Sequence, residues 1–210
     1  MPKVDFSLYL ITDRQQTLGR PLIPLIDDAL RAGLQAMQIR ERDLETRDVL
    51  TLSEEVRTLT RRHRGLCFIN DRLDVALAIG ADGVHLRADS MPVAVARRLL
   101  GANRYVGVSA HSADEAIAAG GEGADFVVLG PVYDTPSKRA YGSSIGLRPL
   151  EEASLRCAVP IFAVGGISVA RVREVRQAGA FGVAVISSVL TAPDVGSATA
   201  QLLNALAESP

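Results

Sequence analysis

The chain has 210 residues, 48% of them hydrophobic, enough to bury one large core; no stretch has the composition of a linker, so a single domain over residues 1–210 is expected. With 23 basic and 24 acidic side chains the formal net charge is -1, which gives neither nucleic acid nor an anionic membrane an electrostatic reason to bind. The apolar run in the opening MPKVDFSLYLITDR is too brief for a signal peptide or a membrane span, and a cytoplasmic location is expected.

The first predicted strand, FSLYLIT, ends in Thr12, Asp13 and Arg14. A helix follows from Pro21, with Leu22, Leu25, Ile26 and Leu30 on one stripe and Asp27, Asp28 and Arg31 off it. The second strand, AMQIR, carries Gln38 and Arg40 and runs into Glu41 and Arg42. Alternate residues share a strand face, so Arg40 points where Gln38 points. A buried arginine there needs an anion, either Glu41 or Asp13 in an ion pair or the oxygens of a phosphate.

The helical stretch DVLTLSEEVRTLTRRH, whose His63 reads as solvated, leads to the third strand, LCFIN, with Asn70 and then Asp71 at its end. Asp71 either caps the helix RLDVALAIG or, beside a bound pyrophosphate, holds Mg2+, with Asp89 beyond the fourth strand GVHL as a second ligand. His85, inside that strand, reads as core.

The fifth strand, YVGVS, delivers Ser109 and His111 to its end, and Ser112 is placed to cap ADEAIAAG. His111 is either structural or a proton-transfer group. The sixth, FVVLG, opens into PVYDTPSKRAYG, a long connection that is either an exposed loop or a lid bringing Thr135, Ser137 and Lys138 over a leaving anion. After the seventh and eighth strands come Gly165, Gly166 and Ser168, then Ser187 and Ser188. These are either tight turns with serine caps or a phosphate cradle of bare backbone N–H groups. Cys67 and Cys157 lack metal-ligand spacing and read as small core residues.

A weak repeat (RAGLQAMQI, AIGADGVHL, GEGADFVVL, QAGAFGVAVI) carries each helix end through a glycine into an apolar strand. Glycine suits the left-handed helix C-cap, and strands apolar throughout imply a parallel sheet covered by helices. Eight such units predict an α/β fold closed as one (β/α)8 TIM barrel, with its chemistry at the carboxyl ends of the strands.

In order and spacing, YLITD, QIRERD, FINDRLDVAL, GADGVHL, GVSAHS, GPVYDTPSK, IFAVGGIS and GVAVIS resemble the thiamine phosphate synthase and TenI superfamily over nearly the whole chain. The resemblance implies a barrel of thiamine biosynthesis acting on small phosphorylated pyrimidine and thiazole substrates, and leaves room for a homo-oligomer. In the synthases, hydroxymethylpyrimidine pyrophosphate ionises with the help of Mg2+, and hydroxyethylthiazole phosphate captures the resulting cation. In the TenI-type tautomerases a histidine shifts a proton on a thiazole carboxylate phosphate without metal. By motif, Gln38, Arg40, Asn70, Ser109, Thr135 and Lys138 match the pyrimidine and pyrophosphate positions, Asp71 a Mg2+ ligand, and Gly166, Ile186 and Ser187 the thiazole phosphate site.

Two stretches depart from the synthase pattern. HLRADS puts Ser90 where the second metal-binding aspartate is expected and Arg87 where glycine is, leaving Asp89 one residue away; RER puts Arg42 where lysine is usual. Those departures, with IRER and VSAHS, lean toward the tautomerases, where His111 is the matching histidine. The survival of Asp71 and of the Gln38/Arg40 pair favours the synthase, with Arg40, Ser109 and Lys138 as its catalytic groups. The alternatives are the tautomerase and a catalytically silent barrel that binds thiazole phosphate.

Overall fold

In the computed structural model, which describes residues 3–135 and 144–209, eight strands close into one barrel in sequence order. They are β1 (Leu8–Ile11), β2 (Ala36–Ile39), β3 (Leu66–Asn70), β4 (Gly83–Leu86), β5 (Tyr105–Ala110), β6 (Phe126–Leu129), β7 (Ile161–Val164) and β8 (Gly182–Val185). Every neighbouring pair is parallel, including β8 with β1, so no sheet edge remains. Around them lie α1 (Leu22–Arg31), α2 (Thr46–His63), α3 (Leu73–Ala78), α4 (Val93–Leu100), α5 (Ala113–Gly121), α6 (Arg148–Arg156), α7 (Val169–Gln177), the short α8 (Ser187–Leu190) and α9 (Val195–Glu208).

The repeated helix-to-strand corner has one geometry. Gly33, Gly80, Gly123 and Gly179 all have positive φ. In each corner the next residue's N–H reaches back five positions: Leu34 to Ala29, Ala81 to Ala76, Ala124 to Ala119 and Ala180 to Val175, at 2.9–3.1 Å. This is the bonding of a left-handed helix cap, and it lets the chain turn straight into a strand.

Two hydrophobic layers follow from strand parity. The outward set, including Leu8, Leu10, Met37, Ile69, Val84, Val127 and Val183, packs under the helices. The inward set is aromatic: of five phenylalanines and four tyrosines in the chain, Phe6, Tyr9, Phe68, Tyr105, Phe126 and Phe162 fill the lumen. Phe6 meets Phe68, Phe126 and Phe162 with ring centroids 5.3–5.9 Å apart. Room for the rings comes from glycine on the same parity; a Cβ on Gly107 would lie 2.5 Å from the Phe126 ring, and one on Gly182 would lie 2.3 Å from the Ser7 carbonyl.

The amino-terminal end of the barrel carries ion pairs built by the repeat itself. Asp82 takes the Arg57 guanidinium at 2.5 Å and the Cys67 N–H at 2.8 Å; Asp125 likewise takes Arg97 and the Val106 N–H. Paired charge at this end of a barrel serves stability rather than chemistry. His63 is not solvated as its basic surroundings suggested: it is 18% exposed and its Nε2 lies 2.8 Å from Asp27 on α1. The helix pair α1 and α2 closes over it.

Candidate active site

The opposite end gathers the residues that follow the strands. Strand register sets Gln38 beside Phe68, Asn70 beside His85 and Ser109 beside Val128, which places Gln38, Asn70, His85 and Ser109 on the lumen-facing parity. Arg40, two residues past Gln38, shares that face. Its charge acts on the buried His85 ring, so its guanidinium lies toward the lumen, while its backbone N–H is held by Thr12 Oγ1 at 2.9 Å. Glu41 is committed elsewhere: its carboxylate accepts from the Arg14 N–H at 3.1 Å and lies 3.8 Å from the Arg14 guanidinium. Asp13 caps the short turn Arg14–Gln16 through the Gln15 N–H, at 3.1 Å. Arg42 is exposed on the rim.

Gln38 and Ser109 are joined through the barrel interior by two residues that the sequence read as packing or passed over. Gln38 Nε2 donates to Tyr9 Oη at 3.4 Å, Tyr9 Oη lies 3.5 Å from His85 Nδ1, and His85 Nε2 lies 3.0 Å from Ser109 Oγ. His85 is therefore part of the site's polar floor rather than inert core. Burial, and after it the charge of Arg40, push its pKa down from 6.5 to about 3. Burial also drives the Tyr9 phenol well above its usual range.

The depressed histidine has a stability consequence. Below pH 6.5 the unfolded chain protonates at His85 while the folded chain stays neutral until about pH 3. Its contribution is thus complete above the unfolded value and is lost as pH falls through that window, by up to roughly 1.4 kcal/mol per pH unit. Urea unfolding between pH 7 and 4 should show a steeper loss for the wild type than for His85→Gln; equal slopes would contradict this.

Asp71 does not cap α3. Arg72 occupies the N-cap position, without a side-chain cap bond, and Asp71 sits just before it at φ +60 with its N–H on the His85 carbonyl at 2.9 Å. Left-handed backbone is unfavourable for a non-glycine residue and is concentrated at functional positions. One carboxylate oxygen, Oδ1, is buried with no hydrogen-bond partner among the described residues; the other lies 3.4 Å from Arg87 Nε. The same nitrogen lies 3.1 Å from Asp89, whose side chain is 78% exposed against 23% for Asp71. The guanidinium of Arg87 thus stands between two carboxylates. One or two carboxylates completed by phosphate oxygens is the donor set Mg2+ takes, so Asp71, with Asp89 beside it, fits the ion once a polyphosphate is present. No group of three or more metal-ligating side chains occurs among the described residues, so the substrate would have to supply the remaining ligands.

His111 is exposed and oriented. Its Nδ1 lies 2.8 Å from the Gly130 carbonyl, which holds the ring hydrogen there and leaves Nε2 as the acceptor. Ser112 caps α5 as expected, accepting from the Glu115 N–H at 3.2 Å. Across the rim, Gly165 and Gly166 have φ of +96 and +67. They serve packing as well as openness, since a Cβ would stand 2.5 Å from Pro131 or 2.8 Å from Tyr133. Ser187 begins α8 and is exposed behind the N-cap Ile186; Ser188 instead donates to the Ile167 carbonyl, tying the two turns together. Ser168 makes no side-chain cap bond.

Thr135 is the last described residue of the loop that leaves β6, and Ser137 and Lys138 lie outside the described residues. The base of the loop is fastened: Ile145 and Gly146 donate to the Pro131 and Val132 carbonyls at 2.8 and 3.1 Å. Arg171 stacks 4.1 Å over Tyr133 and donates to the Gly166 carbonyl at 2.7 Å, so this base stands against the glycine turn.

Residues 8–189 match the family model described as thiamine monophosphate synthase. A protein of Geobacter sulfurreducens is 51% identical over 92% of this chain and 91% of its own length. The thiamine-phosphate synthase of Chloroflexus aurantiacus is 44% identical over 95% of this chain and 92% of its own. Among solved structures, the thiamine phosphate pyrophosphorylase of Pyrococcus furiosus superposes with a TM-score of 0.87 at 37% identity, covering 97% of this chain and 96% of that one.

Proposed function

From the premise that the chain belongs to the thiamine monophosphate synthase family, we propose that it is a thiamine-phosphate synthase, a transferase that joins hydroxymethylpyrimidine pyrophosphate to hydroxyethylthiazole phosphate and releases pyrophosphate. The observation that carries the reading is the shared rim: Gln38 and Arg40, Asn70 and Asp71, and Ser109 lie at the carboxyl ends of β2, β3 and β5, at one end of the lumen.

Carbon–oxygen cleavage that leaves pyrophosphate needs negative charge gathered as the bond breaks. Arg40 brings a permanent cation with a fork of donors, and Arg42 on the same strand end adds a second. Lys138, with Thr135 and Ser137, is assigned to the same leaving group by motif. Asp71 and Asp89 would hold Mg2+, which supplies Lewis-acid neutralisation of the phosphate oxygens when bound. Gln38, Asn70 and Ser109 orient the pyrimidine. On the β7 and β8 side, Gly165, Gly166, Ile186 and Ser187 take the thiazole phosphate, which aims the ring nitrogen at the pyrimidine's exocyclic carbon. No helix among the described residues is long and apolar enough to cross a membrane.

Two observations favour thiazole tautomerisation as a second reading: the bare Nε2 of His111 at the rim and the guanidinium already seated between Asp71 and Asp89. One experiment separates the two. The protein is incubated with both synthase substrates and Mg2+, and separately with the thiazole carboxylate tautomer, each with and without chelator. Thiamine phosphate formed only without chelator is expected. Chelator-insensitive isomerisation with no thiamine phosphate would overturn the synthase assignment, and product in neither would favour a silent binder.

A further inference from the structure

The direction of the hydrogen-bonded line through the lumen follows from the Gln38 amide, whose nitrogen faces Tyr9. The Gln38 amide donates to Tyr9 Oη, so that oxygen is already an acceptor. Tyr9 is fully buried, and its own hydrogen has one acceptor among the described residues, His85 Nδ1. A neutral imidazole has one donor nitrogen and one acceptor. With Nδ1 accepting, the ring hydrogen sits on Nε2 and points at Ser109 Oγ, 3.0 Å away. With Gln38 Nε2 rather than Oε1 turned to Tyr9, reversing the line would leave the buried Tyr9 hydrogen without a partner, which costs more than the bond itself contributes.

The ends of the line follow. Ser109 Oγ accepts from His85, so its hydroxyl hydrogen is turned outward. Gln38 has its amide hydrogens directed at Tyr9, so its carbonyl oxygen faces the opposite way. The site then presents a fixed donor at Ser109 and a fixed acceptor at Gln38. That pair is complementary to a ring edge with an acceptor nitrogen and an exocyclic amine, and it is mismatched to an oxo-substituted edge, whose donor and acceptor are exchanged. Unpaired buried polar groups make such rejection strong.

We propose that His85, locked by Tyr9, is a positioning residue that sets the hydrogen-bonding polarity of Ser109 and Gln38 and so selects an aminopyrimidine over a pyrimidone. The assignment of pyrimidine to this end rests on the synthase reading; the polarity of the line does not. The ring is held closely by its neighbours. His85 is 1% exposed, Gly107 leaves space beside it where a Cβ would lie 2.7 Å from Nδ1, and Phe126 backs it at 5.7 Å between ring centroids.

The first test needs no activity. Nitrogen NMR of a histidine-labelled sample reads the tautomer directly, and the chain has three histidines, so His85→Gln assigns the signal. His85 should carry its hydrogen on Nε2, whereas His111, whose Nδ1 faces a carbonyl, should show the opposite tautomer in the same spectrum. Loss of that assignment in Tyr9→Phe is expected too. A His85 hydrogen on Nδ1, or a charged ring at neutral pH, overturns the proposal.

The second test is kinetic. His85→Leu should raise KM for the pyrimidine pyrophosphate at least about tenfold, leave KM for the thiazole phosphate within about twofold, and narrow the preference for amino over oxo substrate. His85→Gln, which keeps a donor near the Nε2 position, should recover most of the loss. Equal KM increases for both substrates, or no rescue by glutamine, would show a merely structural role and overturn the proposal. Should the Leu variant not fold, Tyr9→Phe carries the same comparison. Absence of thiamine phosphate from a protein with the stated tautomer would count against the synthase reading and support the line itself, with aminopyrimidine binding by calorimetry then replacing KM.

Discussion

An Arg40→Gln enzyme is expected to keep its fold and lose roughly 10²- to 10³-fold in turnover, the usual effect of removing one donor aimed at developing charge. The fold should survive because the anchor of this position is its backbone, whose N–H is held by Thr12 Oγ1 at 2.9 Å, and glutamine retains that bond. Turnover should fall because the guanidinium is a permanent charge on the lumen side of β2, close enough to act on the buried His85. Glutamine offers hydrogen bonds and no charge, so substrate affinity should fall less than turnover. Thiazole phosphate affinity, measured by calorimetry, should stay within about twofold because its site lies after β7 and β8. Turnover within about threefold of the wild type would remove Arg40 from the leaving-group site.

The barrel itself was legible because its signal is repeated. Four corners with glycine at the same place, each followed by an apolar strand, made the helix caps and the parallel sheet readable, and all four glycines adopt the positive φ that reading requires. The face that each strand shows to the lumen was less legible. In parallel strands both faces are apolar, so Tyr9 and Phe68 did not stand out and His85 read as ordinary core. A usable signal existed: Gly83, Gly107 and Gly182 share inward parity with the aromatic rings, and small-beside-large alternation marks a filled lumen. The link from Gln38 to Ser109 was beyond sequence reasoning, since it depends on four strands meeting across the barrel rather than on any local pattern.

The rim shows the same division. Asp71 was a candidate site residue by its place after an apolar strand, but its competing role as a helix cap could be dismissed only from the backbone, which turns left-handed there and gives the cap position to Arg72. His63 was misplaced because a basic run at a helix end looks solvated; its partner, Asp27, is remote in sequence on α1. Thr135 is at the foot of the loop as read, whereas the lid role of Ser137 and Lys138 remains an assignment by motif.

The metal question turns on one cluster, and the substitutions there should not be equivalent. Asp71→Asn is expected to lower turnover by roughly 10²-fold or more at saturating Mg2+, because it removes the charge from a carboxylate held in left-handed backbone with a buried oxygen lacking any hydrogen-bond partner among the described residues. Asp89→Asn should cost less than about tenfold, since its side chain is 78% exposed and solvent already screens it. Arg87→Gly removes the guanidinium that both carboxylates share, and with it a positive charge that opposes a second cation at the same place. That variant should bind Mn2+, followed by electron paramagnetic resonance, more tightly than the wild type and reach half-maximal activity at lower Mg2+. His111→Asn should be comparatively mild for thiamine phosphate formation and severe for any thiazole isomerisation, because Nε2 of His111 is the one ring nitrogen at the rim left as a bare acceptor among the described residues. Wild-type turnover in Asp71→Asn together with indifference to chelator would mean that Arg87 has replaced the ion outright, and that pyrophosphate departs from this barrel on arginine and lysine charge alone.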